Sequence, residues 1–531
     1  MIRKPAASSP APAADRVPAV PELSPALRGY LYLTAGVTGA AVMIVEILGA
    51  KMLAPYFGTS HFVWTAQIAV TMAALACGYY AGGRLVDRAA RLGRLYAAIL
   101  AAALALTLTV LLRERVAYAL LGLPLAAGSL LASVFLFFVP LGLLAMTGPF
   151  LARVVTRSLR DVGGTVGRLS ALSTVGSLVG TAAIGYLLIP LLPNSWTMYG
   201  TSAVLAAVAA AWFLAWGRRS RSTAAAAACI AVGIAAGAWG LRFDGPRIPG
   251  NQELYRRNSS FGLIQVIQPS QSRLRFYLTD YLTQNVYDPS SGTSAAMFTW
   301  MLEGLARSYA PRLDDVLCIG MGVGIVPRDL ARAGSRVDVV EINPAVVPVA
   351  RRFFDLDPEA FDLTIGDGRW FVNQSAERYD AVLLDAFVGD GAPSHLMSRE
   401  AFAAIARVLK PEGVLVINTF VDFGTRDDFL GASLMKTLRT VFAGVRAHGK
   451  RDANMLFVAS QRDPLVPLSL PDFGRVHPDA LADVRTAFTS LWEPDPAAGI
   501  VLTDDFNPAE FRDAANREKL RRRLALSMRT R

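Results

Sequence analysis

Seven apolar runs of helix length crowd the first half of this chain, at residues 31–53, 62–86, 95–112, 128–146, 175–192, 198–216 and 224–241. A hydrocarbon layer about 30 Å thick is crossed by roughly 17–25 helical residues, so each run is long enough to span one. With 531 residues the chain exceeds what one core can organise, and its mean hydropathy of +0.37 is high for that length. Residues 116–125 are too short to cross and read as an interfacial or re-entrant segment. Residues 1–25 are rich in Ala, Pro and Ser and read as a disordered tail.

The loops between these runs alternate in charge. Arg84, Arg88, Arg91 and Arg94 follow the second run, Arg153, Arg157, Arg160 and Arg168 the fourth, and Arg218, Arg219 and Arg221 the sixth. The intervening loops hold little beyond Lys51, Arg113 and Arg115. Cytoplasmic loops collect Arg and Lys, which puts the amino terminus inside. The same clustering accounts for the net charge of +11 and argues against nucleic-acid binding. Seven crossings place everything after residue 241 outside the cytoplasm. An eighth would keep it inside, where nucleotide cofactors are made. Both readings stand at this level.

After Pro249 the pattern changes. Residues 261–268, 274–279 and 281–287 read as short strands of a small antiparallel sheet. From Asp315 strands and helices alternate: strands at 316–319, 336–341, 361–365, 381–385 and 414–418, with helices such as 345–354 and 399–409 between them. That is a doubly wound α/β pattern, in which ligands lie beyond the carboxyl ends of the strands. Those ends carry Gly320, Gly322 and Gly324, then Glu341 and Asn343, then Asp367 and Gly368, then Asp385. Glycines let a backbone approach a ligand closely, and a carboxylate accepts both ribose hydroxyl protons. A single nucleoside suits the turn better than a dinucleotide, because Ile325-Val326-Pro327 breaks the GxGxxG spacing. Cys77, Cys229 and Cys318 each lie in an apolar run and read as small core residues. The four histidines are scattered, and no metal site is expected.

Residues 261–505 resemble the spermidine synthase family of aminopropyltransferases, within the wider class of folds that bind S-adenosylmethionine. Leu278–Gln284 is similar to the family's LDGxxQ segment. Ile319–Gly324 stands where the family has IGGGDGG, Val340–Asn343 where it has VEID, and Gly366–Gly368 where it has GDG. The Leu502–Phe506 segment, with parts of 36–88, resembles membrane-fused members of the family. The resemblance implies a multi-pass helical membrane domain (29–242) after a tail (1–28). A small β-sheet with a connecting helix (250–310), a Rossmann-like methyltransferase-type domain (311–510) and a basic tail (511–531) follow. It implies S-adenosylmethionine or its decarboxylated form as co-substrate, contacted by Gln284, Gly320, Gly322, Gly324, Glu341, Asp367, Gly368 and Asp385. It also implies an amine acceptor such as putrescine, a place in the plasma (inner) membrane, and a homodimer.

Two family carboxylates are missing, at Val323 and Val388. Asp385 is the expected central carboxylate, with Asp390 as a substitute base from its loop. A methyltransferase acting on another acceptor, a transport-linked protein and a non-catalytic binding protein are the alternatives. His395 reads as a helix-start residue, with a base as the second reading. Glu46 lies inside the first run, where an acid is costly; it reads as a cation site or as a structural pair with Lys51 or a loop arginine.

Overall fold

The computed structural model describes residues 23–58, 60–156, 162–217, 221–242, 250–387, 391, 393–420, 428–450 and 454–512. The first half is a helical bundle: α1 (Pro25–Phe57), α2 (His61–Arg88), α3 (Leu92–Leu120), α4 (Leu125–Val155), α5 (Val162–Leu191), α6 (Asn194–Ala215) and α7 (Arg221–Arg242). Ser24 starts α1 by accepting a hydrogen bond from Leu27 N, with Pro25 at the first helical position. Among the described residues, α1 to α6 are long and apolar enough to cross a membrane, and Ala226–Leu241 of α7 is a shorter apolar stretch. Residues 116–120, expected as part of a separate short segment, are instead the last turns of α3, which stays helical to Leu120. α1 and α5 meet through small residues: a side chain on Gly176 would sit 2.0 Å from the Gly36 carbonyl oxygen, so the two backbones touch. Cys318 is buried as expected, whereas Cys77 is exposed on α2 and Cys229 is half-buried on α7. No ion pair among the described residues joins Glu46 to Lys51.

The second half begins with an antiparallel sheet of β1 (Asn251–Ser259), β2 (Gly262–Pro269), β3 (Arg275–Thr279), β4 (Leu282–Asp288) and β5 (Thr293–Ser294), paired in sequence order. Residues 251–259 escape a sequence reading because this edge strand is mostly polar and only half-buried. Helix α8 (Met297–Tyr309) leads into the larger sheet. Its strands are β6 (Asp315–Ile319), β7 (Arg336–Glu341), β8 (Asp362–Ile365), β9 (Tyr379–Leu384), β10 (Leu409–Phe420), β11 (Gly444–Gly449), β12 (Asn454–Ser460) and β13 (Leu491–Trp492). Their spatial order is β13-β11-β12-β10-β9-β6-β7-β8. The five strands β8, β7, β6, β9 and β10 run parallel, and β12, β11 and β13 close the far edge antiparallel.

β6 shows how sequence makes the layers. Val316 and Cys318 face one core with Leu305 and Val349, while Leu317 and Ile319 face the other with Phe402 and Leu434. A strand covered on both faces is apolar at every position, and each such buried side chain stabilises by about 1.5–3 kcal/mol. Helices α9 (Ile325–Arg332), α10 (Val346–Phe353), α11 (Gly368–Gln374), α12 (Arg399–Val408), α13 (Phe429–Leu438) and α14 (Pro478–Thr489) supply the covering layers. The short α15 (Ala509–Arg512) follows them.

The α/β half rests on one end of the bundle. Asn258 Nδ2 donates to Leu192 O between α5 and α6 at 2.7 Å. Phe511 of α15 stacks on His61 at the start of α2, ring centroids 5.2 Å apart. A second cleft joins Lys51, Tyr56 and Arg113 of the bundle to Arg256, Asp280 and Tyr281 of the small sheet. The end of α7 reaches the same side, since a side chain on Gly240 would strike Tyr199 near the start of α6 and Leu111 of α3.

Candidate active site

β6 has β7 on one side and β9 on the other, so a crevice opens where the chain reverses direction across the sheet. Gly320 follows β6 at φ +95°, and its N donates to Val340 O at 2.8 Å. A Cβ there would lie 2.2 Å from the carbonyl oxygen of Asp385. Only glycine lets the ends of β6 and β9 come this close.

Glu341 ends β7 and ties the glycine turn to the crevice. Its Oε2 accepts from Met321 N at 3.0 Å and its Oε1 from Asn343 N at 2.7 Å. Burial pushes this carboxyl upward, against the backbone N–H groups of Asn343, Met321 and Ile342. An ionised carboxylate has about four acceptor positions, so capacity for hydroxyl donors remains.

Asp385 follows β9 at the crevice floor. Asn418 Nδ2 donates to its Oδ1 at 2.8 Å, and Asn454 Nδ2 fixes the Asn418 amide by donating to its Oδ1 at 2.9 Å. Burial raises Asp385 to about 6; Asn418 opposes the shift and the charge on Glu341 adds to it.

Asp367 caps α11: its Oδ1 accepts from Trp370 N at 2.9 Å, and its Oδ2 lies 2.9 Å from His395 Nε2. Burial works to raise this carboxyl, but Trp370 N–H and His395 outweigh it and hold it below the usual carboxylate range.

Gln284, Gly320, Gly322, Glu341, Asp367, Gly368 and Asp385 all line one cleft. The expected Gly324 is not on its wall; it stands at the start of α9 in the left-handed conformation, φ +81°. Asp390, expected as a base, and Val388 lie outside the described residues. Val323, where the resemblance leads one to look for an acid, is fully buried in the core behind the turn. The helix-start reading of His395 is corrected: Ser398 caps α12 by accepting from Ala401 N at 3.2 Å, and His395 sits earlier, in a separate turn facing the cleft. Sequence reasoning also missed Asn418, although a polar residue in the apolar run Val414–Phe420 was the available signal. Among the described residues no group of three or more His, Cys, Asp or Glu is placed to hold a metal ion.

Residues 296–445 match the spermine/spermidine synthase domain. The half that bears the cleft is spermidine synthase-like. Its relatives include a polyamine aminopropyltransferase of Vibrio vulnificus (strain CMCP6), 39% identical over 21% of this chain and 40% of that protein. Putrescine N-methyltransferase 2 of Nicotiana attenuata is 36% identical over 22% of this chain and 34% of that protein. A spermidine synthase structure from Thermotoga maritima aligns with a TM-score of 0.35 at 18% identity, covering 46% of this chain and 83% of that one. The chain thus spans less than half the length of these two curated relatives. The two curated relatives are transferases by name.

Proposed function

We propose that this protein is a membrane-anchored, spermidine synthase-like transferase. It moves an aminopropyl group from decarboxylated S-adenosylmethionine to an amine such as putrescine. The observation that carries this reading is the half-buried Asp385 carboxylate, set at the cleft floor across the glycine turn from Glu341. A sulfonium carbon and an amine both bring positive charge, and a fixed carboxylate lowers the cost of bringing them together. Holding the pair in line supplies most of the remaining acceleration. The test is direct: the purified full chain, given decarboxylated S-adenosylmethionine and putrescine, should yield methylthioadenosine and spermidine. Neither product appearing would end the aminopropyl reading.

Methyl transfer from S-adenosylmethionine is the second reading. It is favoured by Val323, which lies in the core where an acid for a polyamine is absent. A methylated acceptor formed when S-adenosylmethionine replaces the decarboxylated form, with no aminopropyl transfer to putrescine, would select it.

We place the α/β half on the non-cytoplasmic side of the membrane. It rests on the bundle end formed by the α1–α2, α3–α4 and α5–α6 connections, opposite the arginine-rich loops. Helix α7, with 22 residues, is about 33 Å long at 1.5 Å per residue and supplies the seventh crossing. A carboxyl-terminal alkaline phosphatase fusion should be active and a green fluorescent protein fusion dark. The reverse pattern would move the site to the cytoplasm.

A further inference from the structure

We propose that the cleft at the junction of the two halves binds the phosphate of an anionic lipid headgroup. The inference rests on the membrane reading above and adds a site that the transferase reading does not use.

The cleft encloses about 220 Å³ between the bundle end and the small sheet. Lys51 of α1 and Arg113 of α3 enter it from the bundle, and Arg256 and Arg257 of β1 enter it from the sheet. Lys51, Arg113 and Arg256 are half-buried, and Arg257 is exposed. Two acids answer them. Asp280 lines the cleft, with one oxygen accepting from Leu263 N at 2.9 Å, and Glu253 pairs with Arg256 at 2.7 Å. Four cations against these two acids leave a positive surplus. Glu114 and Arg115, next along α3, are exposed and offset each other. Like charges brought together from two packed halves repel, and an anion between them offsets that cost. The start of α6 opens on the same space at Asn194 and Ser195, and a helix start carries partial positive charge that favours an anion.

Depth selects a lipid over a dissolved ion. Lys51 stands 20 residues after Leu31, where the first apolar run begins, which is about 30 Å along α1. Arg113 stands 18 residues after Leu95, about 27 Å along α3. A hydrocarbon layer is about 30 Å thick, so both cations reach the plane of the headgroups at this end of the bundle. The same wall carries Leu191 and Leu192, both exposed, together with Pro55 and Ile189. These give an acyl chain apolar contact beside the cations, which a free phosphate cannot use. The loops at this end carry few cations, and two of them, Lys51 and Arg113, converge on this one cleft. A lysine that merely snorkelled toward water needs no arginine pair facing it from another domain.

A phosphate held here braces the small sheet against the membrane surface. The β3–β4 turn that supplies Asp280 and Tyr281 to this cleft is flanked by Thr279 and Gln284, which line the catalytic cleft. The brace therefore acts on the hairpin that walls the nucleoside site.

The full chain in detergent micelles, titrated with dioleoylphosphatidylglycerol or dioleoylphosphatidylcholine and read by native mass spectrometry, tests the assignment. The wild type should retain one phosphatidylglycerol in preference to phosphatidylcholine. Lys51→Gln and Arg257→Gln, one from each half, should each weaken that binding about fivefold, the worth of one basic residue at an anionic surface. Lys51→Arg should keep it, and so should Arg88→Gln, which removes a cation at the opposite end of the bundle. Equal binding of the two lipids, or a preference that survives the Lys51→Gln/Arg257→Gln double variant, would overturn the assignment. So would an equal loss in Arg88→Gln. Displacement of the lipid by millimolar inorganic phosphate would overturn the lipid as occupant in favour of a dissolved anion. A full chain that stays monodisperse without detergent would sink the membrane reading itself, a result distinct from lost lipid preference in a chain that needs detergent.

Discussion

Replacing Asp385 with Asn should separate stability from function at a single atom. Asp385 titrates at about 6, against 3.8 for an isolated aspartate, and burial is the main cause. Keeping it charged in the fold therefore costs about 3 kcal/mol at 1.36 kcal/mol per pH unit, an upper bound because the residue keeps some surface open to the cleft. The sign follows from linkage. The folded state binds this proton more tightly than the unfolded one, so the favourable contribution is complete below about 3.8. It is lost as pH rises through about 6. In the Asp385→Asn variant the side-chain amide cannot titrate, and its carbonyl oxygen can still accept from Asn418. The stability difference, variant minus wild type, should therefore grow by up to about 3 kcal/mol between pH 4 and pH 8. Denaturant unfolding of the two full-length proteins across that range, followed by tryptophan fluorescence, reads it. Transfer at pH 8 should fall about 10²-fold or more, since the charge that attracts the amine is gone. A difference flat with pH would show that the carboxyl is not desolvated, and unimpaired transfer would remove it from the mechanism.

Glu341→Gln should weaken both S-adenosylmethionine and its decarboxylated form by about 10–100-fold in calorimetry, the worth of charged hydrogen bonds to a ribose; equal affinity would break the assignment of that carboxylate. Gly320→Ala should lose about 1–3 kcal/mol of stability from the backbone conformation alone, and more from contact with Asp385 O. An unchanged denaturation midpoint would contradict the close approach of β6 and β9. Arg369→Ala should free the turn at 394–396, which Arg369 ties to Asp504 through His395 O. Limited proteolysis should then cleave near His395, and an equally resistant variant would show that Asp504 does not hold the turn through Arg369.

Much of this protein is legible in one dimension. The apolar runs name the bundle helices, because a helix that must bury or shield its backbone needs that length of apolar side chains. The strands β6, β7 and β9 announce themselves as short continuous apolar runs, and the acids and glycines at their ends mark the cleft because no apolar core explains them there. Less visible are elements whose side chains follow no period. β1 is a polar edge strand, and the antiparallel β11 and β12 complete the sheet from far along the chain. Local composition set the identities of Glu341, Asp367 and Asp385. Tertiary packing alone decided that Asn418 would brace Asp385 and that His395 would turn from a helix start into the partner of Asp367. It also decided that Asp504 would reach back to Arg369. Each of these contacts joins residues 28 to 135 positions apart, and spacing along a chain carries no information about which strand ends a fold will bring together.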